Sequence, residues 1–175
     1  MSNTNTSSNI ILKKIAYLSL IMLTLFILDN TIIPMFSIKN IYPSSLLVFI
    51  ICYSIINGYE ESVILGVASG FLQDIYFPQF FGINMLVNMF ICLISAKVGE
   101  SIFKEKAIVP IISTFLLSIL KSIMIFGLLF LLGESNNFLH VIIYKGLYDM
   151  ALAVFTYKII FKFSQSKTIK KEWRF

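Results

Sequence analysis

Charge, cysteine and histidine are what this sequence has least of. Only 13% of its 175 residues are charged, where about 25% is usual for a soluble domain. A globular fold of this length buries roughly 70% of the surface its unfolded chain exposes. A chain that is 58% apolar, with mean hydropathy +0.88, must therefore turn apolar surface toward something other than water. Cys52 and Cys92 are the only cysteines and each falls inside an apolar run, so neither a disulfide nor a metal site is indicated. His140 is the single histidine, which leaves nothing from which to build a zinc-type cluster. No nucleotide-binding loop, G-x-S-x-G elbow or H-E-x-x-H helix occurs, so no enzyme activity and no cofactor are expected. The net charge of +5 does not point to nucleic acid, because most of the basic residues sit at the chain ends and in one short loop, apart from most of the aromatic residues.

What the sequence has instead is apolar runs, at roughly Ile15–Ile33, Tyr42–Asn57, Ser62–Phe77, Gly82–Lys97, Ala107–Leu132 and Phe138–Phe161. These predict an all-α integral membrane protein of about six transmembrane helices in a compact bundle. The second, third and fourth runs are short against the roughly 20 residues of a perpendicular span. The first run is too long for a signal peptide and lacks a small-residue cleavage site, so it reads as a retained helix. With six crossings, Lys13, Lys14, Lys97, Lys104, Lys106, Lys158, Lys162, Lys167, Lys170, Lys171 and Arg174 fall on one side and Lys39 on the other. The positive-inside rule then places both termini in the cytoplasm of an inner-membrane, multi-pass protein. The expected organisation is a cytoplasmic tail over 1–14, flexible at least to Asn9, one transmembrane domain over 15–162 and a basic cytoplasmic tail over 163–175.

Polar residues inside the runs carry the remaining information. Ser62, Gly66, Gly70 and Asp74 recur at steps of four along one helix face. Gly66 and Gly70 form a G-x-x-x-G that admits a close helix neighbour, and a carboxylate in hydrocarbon should point at protein. Asn84, Asn88, Cys92 and Ala96 repeat the pattern on the next helix, with amides suited to interhelical hydrogen bonds. Lys121 lies near the middle of the fifth run, and Lys145 and Asp149 stand four apart in the sixth. Because each charge at membrane depth costs roughly 2.5–3.5 kcal/mol, Asp74, Lys121, Lys145 and Asp149 are expected to pair in one buried polar cluster. A structural lock, a ligand pocket and a proton or ion path would all use such a cluster, and its net neutrality favours packing over transport. Asp29 and His140, near helix ends, are expected to be solvated.

The block from Pro43 to Asn84 resembles the MreD family of bacterial rod-shape-determining membrane proteins. It reads P-S-S-L-L-V-F-I-I-C-Y from Pro43, then Gly58, then G-V-A-S-G-F-L-Q-D ending at Asp74, then G-I-N from Gly82. The resemblance implies a non-enzymatic scaffold that binds MreC in the cell-elongation assembly, where cytoskeletal MreB is linked to the RodA glycosyltransferase and its transpeptidase. Support of peptidoglycan synthesis and maintenance of cell shape follow from that placement. Carried over by position, Gly66, Gly70, Asp74 and Gly82 are the motif residues, with Asn84 and Asn88 on the adjoining face.

Proteins of that family are similar in helix number and layout to the substrate-binding components of energy-coupling-factor transporters, so a vitamin-type binding component is the alternative. Those components typically carry A-x-x-x-A in the first helix, whereas Ala16 here has Leu12 and Leu20 four residues away. A proton carrier or intramembrane enzyme using Asp74 and Asp149 is a third reading, and it requires water at the cluster.

Overall fold

A computed structural model describes residues 3–38, 41–76, 81–101, 108–133 and 139–164. Lys39, Lys104, Lys106, the side chain of His140 and the basic tail from residue 165 onward lie outside the described residues. The described chain is helical: α1 (Asn3–Thr31), a 3-10 turn at Ile33–Phe36, α2 (Ser45–Asn57), α3 (Tyr59–Tyr76), α4 (Ile83–Ser101), α5 (Ile108–Leu131) and α6 (Leu139–Ser164). Each of the six apolar runs yields one helix, and α1 reaches back to Asn3, into the stretch expected as a tail. By length and composition, α4 and α5 are able to cross a membrane, while α2 is apolar but only 13 residues long.

The arrangement follows from how apolar each helix is around its circumference. Every residue of α2 from Ser45 to Ile55 is buried, as a helix hydrophobic on all sides must be. At 1.5 Å per residue its 13 residues span about 20 Å, less than a hydrocarbon core of about 30 Å. It sits at the centre and touches all five other helices. Around it, α1 packs on α3, α3 on α4, α4 on α5 and α5 on α6, with α3–α4 the most extensive interface.

The outer helices bury one face each and leave the other apolar. On α3, Ser62, Leu65, Gly66, Ser69, Gly70 and Asp74 are buried while Ile64, Phe71 and Ile75 are exposed. Leu20 and Ile27 of α1, Leu116 and Phe130 of α5, and Phe155 and Ile159 of α6 are likewise exposed. Small polar groups occupy the interior and large apolar ones the exterior. Water would penalise that inversion and lipid does not.

Turns set the helix ends. Gly58 closes α2 at φ 88 and Gly82 precedes α4 at φ 99. Neither would meet another atom through a Cβ, so what each position needs is the left-handed backbone that glycine adopts without strain.

Candidate functional site

Three buried aspartates each hold the start of another helix. The first four N–H groups of a helix have no partner inside it, and in a bilayer each one left bare costs several kcal/mol. Asp74, at the end of α3 and wholly buried, reaches the start of α4. Its Oδ2 accepts from the backbone N–H of Gly82 and of Met85, and its Oδ1 from the N–H and the side-chain amide of Asn84, all at 3.0 Å. The motif G-x-x-x-G-x-x-x-D followed by G-x-N is thus one device. Two glycines bring α3 and α4 together, the carboxylate anchors the start of α4, and Gly82 makes the turn between them.

The glycines act through contact with backbone. A Cβ on Gly66 would lie 2.8 Å from Asn88 O and Met89 Cα. On Gly70 it would overlap the Cα and N of Met85 and the carbonyl of Asn84. Gly99 of α4 has the same relation to the Ile55 carbonyl of α2. Sequence reasoning missed that third close approach, although Ser95-x-x-x-Gly99 is a small-residue pair at helical spacing that could have marked it.

The start of α2 is held from two sides. Asp29 of α1 accepts from the N–H of Ser45 at 2.8 Å and of Leu46 at 3.0 Å, and from the hydroxyls of Ser44 and Ser45. Asp149 of α6 accepts from the N–H of Ser44 at 2.8 Å and from the Ser118 hydroxyl. Ser44 itself caps α2, its Oγ accepting from Leu47 N–H at 3.2 Å. Asp29 was expected to be solvated and is instead 9% exposed with both oxygens occupied. The available signal was Pro43-Ser44-Ser45 opening an all-apolar helix, an N-terminus that calls for acceptors from elsewhere.

The charges expected to pair in one cluster do not pair. Among the described residues the one ion pair is Lys14–Glu61 at 2.6 Å, at the opposite end, where Glu61 also accepts from the Tyr53 hydroxyl at 2.8 Å. Asp74 and Asp149 are committed to helix starts and serine, and Asp149 bonds neither lysine. Lys121, 4% exposed, donates to Gln73 Oε1 at 2.9 Å. Asn88 donates to the same oxygen and to Ser69 Oγ, each at 3.1 Å, which ties α3, α4 and α5 together. Lys145 is half-buried and makes no hydrogen bond among the described residues. Helix spacing permits a Lys145–Asp149 contact, but Asp149 turns to the start of α2.

Lys121 and Lys145 meet at a cavity of about 150 Å³, open on one side, at the end where α1 and α3 finish and α2 and α4 begin. Asp29, Asn30, Ser44, Gln73 and Asn84 are among its other polar lining residues, with Phe26 and Ile125 as apolar walls. Asn84 therefore belongs both to the α4 anchor and to the cavity wall.

An all-helical protein with apolar exteriors, whose buried carboxylates brace its own helix ends, belongs to the class of small membrane proteins organised around packing. Residues 12–167 match the family model of the rod shape-determining protein MreD, and the chain belongs to that family. It is accordingly a bacterial membrane protein with a role in rod-shape determination, from a family of shape-determining structural components. No characterised protein and no solved structure matches it.

Proposed function

We propose that the chain is a non-enzymatic scaffold of the cell-elongation machinery, binding an MreC-like protein and supporting peptidoglycan synthesis by RodA and its transpeptidase, with MreB coupled indirectly. All six helices are embedded in the inner membrane, both termini are cytoplasmic, and the layout is that of the substrate-binding components of energy-coupling-factor transporters. The observation that carries this reading is that Asp29, Asp74 and Asp149 all accept backbone N–H bonds at helix starts. Carboxylates held in that way brace a shape and are poorly placed to relay protons. Exposed apolar faces on α1, α3, α5 and α6 offer surface to partner helices as well as to lipid.

The transporter alternative draws no comparable support, since a cavity of about 150 Å³ is small beside the roughly 300–1,000 Å³ of pockets that enclose drug-sized ligands. Depletion of the protein tests the proposal: side-wall peptidoglycan incorporation, followed with a labelled precursor, should fall before growth slows. Incorporation that continues unchanged while cells lose their shape would separate the protein from synthesis. Labelling of single cysteines introduced before Lys13 and after Lys162 tests the orientation, with protection from an impermeant reagent expected at both positions.

A further inference from the structure

We propose that the cavity between Lys121 and Lys145 is a binding site for a small anionic group of the phosphate type. Both lysines hold unused donors. An ammonium carries three N–H donors and no acceptor. Lys121 uses one of them, on the neutral Gln73 oxygen, and Lys145 uses none among the described residues. Asp29 lines the same cavity but its oxygens accept from the start of α2, Asp149 accepts from the Ser44 N–H of that start and from the Ser118 hydroxyl of α5, and neither lies within ion-pair distance of a lysine.

Two cations sharing one cavity, one of them 96% removed from solvent by its 4% exposure, repel each other and are poorly hydrated. An anion between them relieves both costs. Lysine suits phosphate as a point charge with several donors. The size agrees, because about 150 Å³ is the volume that holds benzene in an engineered cavity, enough for one tetrahedral oxyanion but not for a nucleotide. The opening allows that oxyanion to be a free ion or the headgroup of a lipid whose chains stay outside. Asp29 and Asp149 still attract both lysines at longer range, so affinity is moderate. Under the orientation proposed above the cavity faces away from the cytoplasm, but its chemistry does not depend on that orientation or on any partner.

The test uses the full chain. In detergent, equilibrium dialysis against labelled inorganic phosphate, at constant ionic strength, measures uptake of the free ion. In phosphatidylcholine nanodiscs prepared with and without phosphatidic acid, the thermal unfolding midpoint measures uptake of the headgroup. Saturable binding, or a rise in midpoint with phosphatidic acid, is expected, weakened at least about tenfold in Lys145→Gln, the scale of one charge-assisted hydrogen bond. Lys158→Gln, which removes an exposed lysine thirteen residues and about 20 Å farther along α6, should bind as the native chain does. Lys121→Gln should resemble Lys145→Gln, and if it fails to fold the half-buried Lys145 decides the matter alone. A response to phosphate assigns a soluble anion, and a response to phosphatidic acid alone assigns a lipid headgroup. No response to either, or a response equal in Lys145→Gln and the native chain, overturns the proposal.

Discussion

Replacing Asp74 with alanine removes an acceptor of four hydrogen bonds, three of them from backbone N–H groups that have no other partner. Bonds to a charged group contribute about 1.5–3 kcal/mol each. Their sum overstates the loss, because the Asn84 amide can turn away and the start of α4 lies beside an open cavity where water can reach part of it. Each buried N–H left without an acceptor costs about 1–3 kcal/mol, so with three backbone donors stranded and part of the site reached by water we expect Asp74→Ala to cost roughly 3–5 kcal/mol, toward the low end of that sum. Asp74→Asn keeps one oxygen, enough for Gly82 and Met85, while its new amide group faces the Asn84 N–H. Asn84 can rotate to accept from that amide, so one backbone donor is stranded and the cost is about 1–3 kcal/mol. Denaturant unfolding of the purified protein in micelles, followed by far-UV circular dichroism, gives both numbers. The same two variants, expressed at matched levels in depleted cells, should restore rod shape in proportion to their folded fraction. A folded, native-abundance Asp74→Asn protein that abolished rod shape would refute the capping argument and favour a proton-transfer role for the carboxylate.

Three further outcomes follow from the same contacts. Gly70→Ala should destabilise more than Gly66→Ala, each by about 1–3 kcal/mol or more because backbone cannot yield as a side chain does. Gly127→Ala, at an open position of α5, should be neutral or stabilise by up to about 1 kcal/mol, and denaturant midpoints rank all three. Asp29→Ala strands two buried backbone donors, each costing about 1–3 kcal/mol, and should therefore cost about 2–6 kcal/mol by unbracing α2, seen as early loss of helical signal in the same assay; a surface-like cost below about 0.5 kcal/mol would contradict its placement. Lys121→Met should leave stability unchanged or raise it, because an unpaired buried cation is replaced by an apolar chain of similar length, and a loss comparable to that of Asp29→Ala would show that the Gln73 contact outweighs the charge.

The fold was legible in the sequence wherever the information was local. Six apolar runs gave six helices, and the four-residue spacing of Ser62, Gly66, Gly70 and Asp74 did mark the buried face of α3. What could not be read was which element each polar group serves. The anchored residues of α4 lie eight to eleven positions beyond Asp74, across a turn. Asp29 looked solvated because it stands near a helix end, and only the demand of α2 for acceptors explains its burial. Charge neutrality suggested that Lys145 and Asp149 would pair, yet a helix start offers a carboxylate oriented N–H groups and a favourable dipole, while helix spacing alone cannot say which competitor is nearer. The central place of α2 was hidden for a different reason: a helix with no polar face carries no directional signal.

Whether this protein holds an MreC-like partner, as proposed above, is tested most directly by co-purification. The tagged chain, co-expressed with the MreC-like protein of the same cell and extracted in mild detergent, should retain that protein through affinity and size-exclusion steps in a fixed ratio. Asp74→Asn should retain it too, and Gly70→Ala should lose it to the extent that the fold is lost. Reproducible separation of the two, with the native chain shown to be helical and monodisperse, would contradict the account.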